Sequence, residues 1–306
     1  MEFTHIPVLF HETLDSLQIR PDGLYVDCTA GGGGHSKAIA ERLTTGRLIA
    51  IDRDPDAIAI LHERLGKFPQ VQIVQNTYDN IRSVLNGERA DGILADLGVS
   101  SYQLDTAQRG FSFHKDAPLD MRMSKVGLSA ADVVNTYSEP ELYRVIKEYG
   151  EERYAGAIAR NIVRVRQKKP IKTTFELIDV IKMSMPQKAL RDTHPARRTF
   201  QAIRIEVNGE LTGLDRALDE MFEALKVGGI LSIITFHSLE DRMVKQRFQS
   251  FAQGCICPKD FPVCVCGKTP RAEILIKGKA PSKEELEQNP RAHSARLRSV
   301  RKIKED

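Results

Sequence analysis

The sequence predicts an α/β fold in which a mostly parallel sheet, flanked by helices, is interrupted by an all-helical insertion. Between Leu24 and Asp96, four short apolar segments alternate with helical patterns, which favours a parallel sheet with right-handed crossovers. From 129 to about 201 the apolar residues recur at helical spacing throughout. A further apolar strand then follows at 230–236, and two more strand patterns lie near the C-terminus.

The first half of the sheet follows from apolar patterning and from capping residues. Asp54 and Pro55, an N-cap acid and a first-turn proline, begin the second crossover helix. In chain order we predict a short helix at 11–17, a strand at 24–26 ending at Asp27, a glycine loop at 31–34, a helix at 35–43, a strand at 48–51 ending at Asp52, a helix to 65, a strand at 71–74, a helix at 81–85 and a strand at 90–96.

The second half contains the insertion and the end of the sheet. The predicted helices of the insertion include 138–149, 151–167 and 174–184. A helix at 211–225, which Lys226 to Gly229 should end, precedes the strand at 230–236, which is apolar on both faces and therefore central. A helix at 239–251 and strands at 272–277 and 295–303 follow, and the last two suit an antiparallel hairpin.

Composition limits the class of protein. The chain has 306 residues, 41% of them hydrophobic and 28% charged, so we expect a packed core. It contains no run of eighteen apolar residues and no basic start followed by an apolar stretch. We therefore expect no membrane span, no secretion signal and a reducing, cytoplasmic location for the five cysteines.

The glycine loop and Asp52 predict a cofactor of the adenosine type. Glycines after a first parallel strand let backbone N–H groups approach a ligand, and an acid about 20 residues further on can accept hydrogen bonds from ribose hydroxyls. A nicotinamide frame is matched only in part by Gly31, Gly33 and Ser36. Asp27 would repel a pyrophosphate and suits a cationic ligand. The loop resembles that of S-adenosylmethionine-dependent methyltransferases, with a nicotinamide oxidoreductase as the alternative.

Polar groups follow the predicted strands at one edge of the sheet. Asp27, Asp52 and Asp96 end three strands, and Tyr78 comes shortly after another. Ligands of parallel sheets bind at these carboxyl ends, so the four residues should surround one site. For Tyr78, contact with an adenine face and simple packing on the sheet edge are equally open.

Basic residues form three clusters in the sequence, which favours a nucleic-acid partner. They are Arg153, Arg160, Arg164, Arg166, Lys168, Lys169 and Lys172; then Lys188, Arg191, Arg197, Arg198 and Arg204; then Arg291, Arg296, Arg298, Arg301, Lys302 and Lys304. Phe111, Phe113 and Phe200 lie among or near them and could stack on an unpaired base. Solvated helix faces, or a non-catalytic RNA-binding protein, are the alternatives.

Four of the cysteines form a C-x-C, six residues, C-x-C pattern at Cys255, Cys257, Cys264 and Cys266. Four thiolates can bind zinc, but C-x-C is not the common C-x-x-C knuckle. Structural zinc and free thiols therefore both stay open, and we assign no metal ligand from the sequence.

Several stretches together resemble one family: HIPVLFHE, DCTAGGGGHS, DGILADLGVSSYQLD, HPARRTFQAIRIEVN, FHSLEDR and NPRAHSARLR. The chain is similar to the bacterial 16S ribosomal RNA (cytosine-N4)-methyltransferases. The resemblance implies S-adenosylmethionine as donor and a cytidine in the decoding region of 16S rRNA, in the small ribosomal subunit, as acceptor. It also implies a Rossmann-like methyltransferase domain at 1–105 and 209–306, with an inserted helical substrate-recognition domain at 106–208.

The resemblance also implies roles for individual residues. Contacts to the cofactor would come from Gly33, Gly34, His35, Asp52, Tyr78, Asp96 and Gln103. Asp96 is also the candidate catalytic residue, as an acceptor near the reacting amine, although a cofactor-only role stays open. We expect Arg197 and Arg198 to contact phosphates, and Phe200 or Phe113 to stack on the base. The oligomeric state stays open, with a dimer as one alternative.

Overall fold

A computed structural model describes residues 7–190, 194–258 and 263–305, and within these ranges it contains one seven-stranded sheet. The strand order is β3-β2-β1-β4-β5-β7-β6. The strands are β1 (Leu24–Asp27), β2 (Arg47–Asp52), β3 (Val71–Gln75), β4 (Ala90–Asp96), β5 (Leu225–Thr235), β6 (Ala272–Lys279) and β7 (Arg296–Lys302).

The helices of the described residues follow the predicted alternation. They are α1 (Phe10–Leu17), α2 (Gly34–Ala40), α3 (Pro55–Leu65), α4 (Ile81–Leu85), α5 (Ser101–Asp105), α6 (Ala130–Thr136), α7 (Glu139–Glu148), α8 (Ala155–Arg166), α9 (Thr174–Met183), α10 (Arg197–Asn208), α11 (Leu214–Glu223), α12 (Ser238–Ala252) and α13 (Lys283–Gln288). None of them is long and apolar enough to cross a membrane.

The sheet confirms the predicted fold class. Strands β1 to β5 pair in parallel, and β7 pairs antiparallel with both β5 and β6, which is the predicted terminal hairpin. Strand β5 is buried from Ile230 to its end, as expected of a central strand. The pairing of Asp96 with Ile234 brings the ends of β4 and β5 together.

Two compact units divide the chain: Met1–Gly98 with Leu211–Asp306, and Val99–Glu210. In the first unit, alternate strand residues pack on opposite faces of the sheet because side chains of a strand alternate in direction. Val26 and Ile93 lie in a core with Phe222, whereas Tyr25 and Leu94 lie in a second core.

The second unit is helical, and its helix starts are encoded locally. Ser129, Ser138 and Thr173 each cap a helix and form a capping box with the residue three positions on. The helices pack around one core that includes Ile158 and Leu177. The sequence analysis places the insertion at 106–208, and the compact unit spans Val99–Glu210.

Two local predictions differ from the structure. Lys226 to Gly229 were expected to end a helix, but they lie within β5, where the pairing with β4 shifts between Ala90 and Gly92 and Gly228 has a φ of 89°. This is a bulge, which accommodates extra residues in one strand. The segment 97–123, in which the sequence analysis predicts no element, contains the short helix α5.

Candidate functional site

The carboxyl ends of β1, β2 and β4 bring three aspartates to one edge of the sheet. Asp27, Asp52 and Asp96 end strands that are direct neighbours in the order β2-β1-β4. The prediction that these acids share one edge is therefore confirmed for the sheet. Acids gathered in this way create a region of negative potential that favours a cationic ligand.

Asp27 is the most deeply buried of the three, with 1% of its surface exposed. The Ser36 hydroxyl donates to its Oδ2 at 2.6 Å, and the Thr29 N–H donates to its Oδ1 at 3.2 Å. Burial raises the pKa of Asp27 to about 6, against these two hydrogen bonds and with a smaller contribution from Asp52. A carboxylate at this position is costly to ionise, which points to a functional reason for retaining it.

Asp52 holds the glycine loop. Its Oδ2 accepts the Gly31 N–H at 2.8 Å, and its Oδ1 accepts the Asp54 N–H at 2.8 Å. Gly31 and Gly33 have φ values of 51° and 79°, in the left-handed region that favours glycine. Each carboxylate oxygen has two lone pairs, so Asp52 can still accept hydrogen bonds from a ligand.

Gly34 and His35 follow the loop at the start of α2. A Cβ on Gly34 would collide with the ring of Pro7, so this glycine permits close packing of the N-terminal segment. The His35 side chain is 6% exposed, and its ring stacks on Phe10 with centroids 5.9 Å apart. His35 Nδ1 lies 3.9 Å from Asp96 Oδ2, so the loop and the end of β4 meet at these two side chains.

The Asp96 side chain is 25% exposed, and one of its carboxylate oxygens has unused hydrogen-bonding capacity. Its backbone N–H donates to Thr29 Oγ1 at 2.6 Å, which fixes the end of β4 against the turn after β1. Its Oδ1 is buried and has no hydrogen-bond partner among the described residues. Burial, and then the charges of Asp27 and Glu240, raise the pKa of Asp96 well above its usual range.

Glu240 is a site residue to which the sequence analysis gave no role. It lies in the first turn of α12, directly after β5, and is 1% exposed. Its Oε2 accepts the Phe236 N–H at 3.1 Å, and its Oε1 lies 3.0 Å from His237 Nε2. The signal in the sequence was the FHSLEDR stretch, which puts an acid one turn after the strand that neighbours β4.

Tyr78 begins a short 3-10 turn, Tyr78–Asn80, that follows β3. The Asn76 N–H donates to the Asp52 carbonyl at 3.0 Å, so the segment leading to Tyr78 starts beside Asp52. Tyr78 is partly buried and packs against the core that contains Val26 and Phe222. The structure therefore places an aromatic side chain after β3, as the sequence indicated, with part of its surface open.

The other predicted site residues lie in the helical unit. Gln103 is 4% exposed, and its Oε1 accepts the Ser100 N–H at 3.0 Å as part of the capping box of α5. Arg197 and Arg198 are exposed in the first turn of α10, and Arg198 Nη1 lies 3.3 Å from the Glu151 carbonyl. Their exposure is compatible with contacts to phosphates.

Phe200 does not lie where the sequence analysis expected a stacking aromatic. It is 3% exposed and belongs to the core of the helical unit, whereas Arg197 and Arg198 of the same helix are exposed. Its ring instead meets Phe113 edge-on at 5.8 Å. Phe113 is partly exposed and stacks on His194 at 4.4 Å, so Phe113 is the more accessible of the two.

The third basic cluster has a structural role that the sequence did not reveal. Arg298 makes two hydrogen bonds of 2.8 Å to the Asp241 carboxylate, and Lys302 is fully buried with Glu305 at 2.9 Å. These two cations stabilise the end of the sheet and are not available to phosphates. In the second cluster, Arg191 lies outside the described residues.

The first basic cluster does form an exposed surface. Arg160, Arg164 and Lys168 are exposed and recur every four residues along and just beyond α8. Arg166 is turned inward, where its Nη1 donates to the Val134 carbonyl at 2.7 Å, and burial lowers its pKa. This face of α8 therefore presents positive charge at helical spacing.

Comparison with known proteins identifies the family. The profile of the MraW methylase family matches residues 2–303. Ribosomal RNA small subunit methyltransferase H of Clostridium botulinum (strain Kyoto / Type A2) is 54% identical, over 99% of this chain and 100% of the relative. The proteins of the same name from Lachnospira eligens and Carboxydothermus hydrogenoformans are 54% and 52% identical, each over 99% of both chains. With a family match and full-length relatives of this similarity, the chain belongs to the MraW methylase family.

Proposed function

We propose that the protein transfers a methyl group from S-adenosylmethionine to the exocyclic N4 amine of a cytidine in the decoding region of 16S rRNA. The observation that carries this is Asp96, a partly buried carboxylate at the end of β4 whose buried Oδ1 accepts no hydrogen bond from the described residues. Membership of a methylase family and relatives named as small-subunit rRNA methyltransferases support the reaction class and the substrate.

The residues at the sheet edge fit this cofactor. The glycine loop, with Gly31 and Gly33 in the left-handed region, leaves backbone accessible where side chains would block it. Asp52 keeps acceptor capacity for ribose hydroxyls, and Tyr78 offers an aromatic face for adenine. When bound, S-adenosylmethionine supplies a methyl group on a positively charged sulfonium.

The acidic strand ends account for the preference for a cation. Burial and the charge of Asp52 raise the cost of ionising Asp27, and burial and the charges of Asp27 and Glu240 raise the cost of ionising Asp96. A cationic ligand beside them favours their charged form, and its attraction to the carboxylates offsets the cost of ionising them. We assign Gly33, Gly34 and His35 to the same site through their position between Asp27 and Asp96.

Asp96 also suits the reacting amine. The exocyclic amine of cytosine is a poor nucleophile because its lone pair is delocalised into the ring. An acceptor that takes a hydrogen bond from the amine N–H favours the tetrahedral nitrogen needed for attack, and positioning supplies much of the remaining rate. We assign this acceptor to the free Oδ1 of Asp96.

We assign methyl transfer to segments 1–105 and 209–306, and RNA recognition to the helical segment 106–208. Arg197 and Arg198 would contact phosphates, together with the exposed face of α8. Phe113, which contacts the Phe200 ring edge-on and stacks on His194, would contact an unpaired base. We also assign Gln103 to the cofactor, as the resemblance to the family implies. A 16S rRNA substrate places the reaction in the cytoplasm.

The test is transfer of labelled methyl from S-adenosylmethionine to small ribosomal subunits from cells that lack this protein, followed by nucleoside analysis. We expect label in N4-methylated cytidine. Label in another nucleoside would keep the methylase assignment and refute the acceptor. RNA binding without cofactor binding would instead support a non-catalytic RNA-binding protein.

A further inference from the structure

The segment between α12 and β6 brings together four cysteines that methyl transfer does not use. Cys255 Sγ lies 3.4 Å from Cys264 Sγ, Cys264 Sγ lies 3.6 Å from Cys266 Sγ, and Cys266 Sγ lies 3.7 Å from Cys255 Sγ. With Cys257, all four sulfur atoms lie within 4.8 Å of one another. None is in a disulfide, in which the sulfurs would be about 2 Å apart.

These separations match a tetrahedral metal site. With a Zn–S bond of about 2.3 Å, the sulfurs of a four-cysteine site lie about 3.8 Å apart. A thiol is only a weak hydrogen-bond donor and acceptor, so S–H contacts alone contribute little to holding four cysteines together. The geometry thus has the size of a zinc tetrathiolate.

Among the residues that the structure describes on either side of 259–262, hydrophobic burial does not explain why the four sulfurs converge. Cys255 and Cys264 are exposed, and the side chains of Ile256, Val263 and Val265 are 57%, 70% and 74% exposed. With these three side chains exposed, the described part of the segment gains little from the hydrophobic effect. The convergence of the sulfurs needs another source of stability, and metal–ligand bonds can supply it.

The backbone around the sulfurs is also arranged as in a metal-binding knuckle. The Ile256 N–H points at Cys266 Sγ, and the Val265 N–H points at Cys257 Sγ, each at 3.4 Å. The central residue of each C-x-C therefore donates to the second cysteine of the other, in a pseudo-twofold arrangement. Donors of this kind orient metal-bound thiolates and stabilise their negative charge.

We propose that Cys255, Cys257, Cys264 and Cys266 bind one Zn²⁺ ion as a structural site. Four protein ligands leave no open position, which is the arrangement of structural and not of catalytic zinc. The base of the segment is already fixed, because the Arg271 N–H donates to the Phe251 carbonyl at 2.9 Å and Phe251 stacks on Phe222 at 4.1 Å. The ion would fix the far end of the same segment.

Metal analysis of the purified full-length chain tests the site. We expect one zinc ion per chain, and strong visible absorption typical of tetrahedral cobalt thiolate after exchange with Co²⁺. The double variant Cys257→Ser/Cys266→Ser should lose the zinc and the cobalt spectrum. Cys28→Ala, which removes a buried cysteine outside the cluster, should keep both.

Thiol titration of the unmodified protein keeps the test decisive if a variant fails to fold. We expect the four thiols to react slowly with an aromatic disulfide reagent, and quickly after a chelator is added. Four thiols that react at once in protein supplied with Zn²⁺, without a cobalt spectrum, would refute the site. Stoichiometric iron in place of zinc would refute the proposed ion.

Discussion

At the scale of single residues, the site is built from carboxyl groups that are expensive to bury. Asp27 is 1% exposed, and Asp96 carries a buried oxygen without a hydrogen-bond partner in the described part of the chain. Burial and then the charge of Asp52 raise the pKa of Asp27, and burial and then the charges of Asp27 and Glu240 raise that of Asp96, so a cationic ligand beside these groups lowers the cost of ionising them. Stability and binding therefore place opposite demands on these residues.

Asp27→Asn should stabilise the ligand-free protein at neutral pH. The unfolded chain releases the Asp27 proton near pH 4, whereas the folded protein holds it up to about pH 6. The folded state thus binds more protons in this window, and the free energy of unfolding falls as the pH rises through it. The free energy of unfolding of the variant should exceed that of the parent by up to about 3 kcal/mol at pH 7.5 and should equal it at pH 4.

Urea unfolding at the two pH values measures this effect. The exposed Asp22→Asn serves as control and should change stability by less than about 0.5 kcal/mol at either pH. Calorimetry should show weaker S-adenosylmethionine binding by Asp27→Asn. An equal gain at pH 4 and pH 7.5 would contradict the electrostatic explanation.

Asp96→Asn should separate positioning of the amine from cofactor binding. An amide keeps the shape and one acceptor oxygen but cannot take up charge, so kcat should fall by roughly 10²- to 10⁴-fold while binding of the cofactor weakens less. In the unmodified protein kcat should rise with pH as the raised pKa of Asp96 is passed, and the variant should lose this rise. Unchanged turnover in Asp96→Asn and Asp96→Ala would exclude the assignment.

At the scale of elements, the loop after β1 depends on backbone conformation more than on side chains. Asp52 accepts the Gly31 N–H, and Gly33 has a φ of 79° with a position for Cβ only 3.1 Å from Leu61 Cδ2. The loop joins β1 to α2 along the chain, and its hydrogen bond to Asp52 holds it against the end of β2. A substitution at a loop glycine with positive φ should therefore reduce stability, whereas one at a loop glycine with ordinary φ should not.

Gly33→Ala should destabilise the protein by about 1–2 kcal/mol, since an L residue is strained in this region of φ. Gly32→Ala is a matched control, because its Cβ would meet only the flexible Arg64 Nη1 at 3.4 Å. We expect the control to stay within about 0.5 kcal/mol of the parent in urea unfolding and to retain S-adenosylmethionine affinity in calorimetry. Equal effects of the two alanines would show that backbone strain is not the cause.

In strand β7, the ion pairs of Arg298 and Arg301 differ in exposure. The Arg298 guanidinium lowers the pKa of the Asp241 carboxylate, and Arg298→Ala leaves this carboxylate without its partner. The variant should therefore lose about 3 kcal/mol of free energy of unfolding. Arg301→Ala, on the same strand, breaks a more exposed pair with Glu273 at 3.0 Å and should cost less than about 1 kcal/mol. Thermal unfolding compares them. A loss of RNA affinity in folded Arg298→Ala would contradict the structural role.

At the scale of the whole molecule, the net charge of +4 hides an uneven distribution. In the sheet unit, Arg298 and Lys302 form internal ion pairs. The helical unit instead has exposed arginines, at Arg160, Arg164, Arg197 and Arg198. Exposed cations release counterions when they bind phosphates, so affinity for RNA should fall with salt.

Arg197→Ala/Arg198→Ala should weaken RNA binding and make it less dependent on salt. For single-stranded RNA the slope of log K against log salt should shrink by about 0.7 for each phosphate that the variant no longer neutralises. Fluorescence anisotropy over a salt series measures the slope. Lys277→Ala/Lys279→Ala, which removes two exposed lysines of β6, should leave it unchanged. Equal slopes in both double variants would argue against the assignment.

The sequence by itself determined the elements whose signals are local. The alternation of apolar strands with capped helices predicted the parallel sheet, and the Asp-Pro start of α3 and the terminal hairpin were confirmed. The spacing of the glycines and Asp52 also predicted which strand ends would meet. These features are local because side-chain periodicity and capping depend on residues only a few positions apart.

Only the tertiary structure decided how the side chains are used. In the folded protein Phe200 is buried, and Arg298 and Lys302 form ion pairs. Glu240 lies close enough to raise the pKa of Asp96. Four cysteines whose spacing differs from that of a common zinc knuckle lie together. Burial and charge coupling depend on residues far apart in the chain. For that physical reason, a sequence shows which groups are present but not which of them face a ligand.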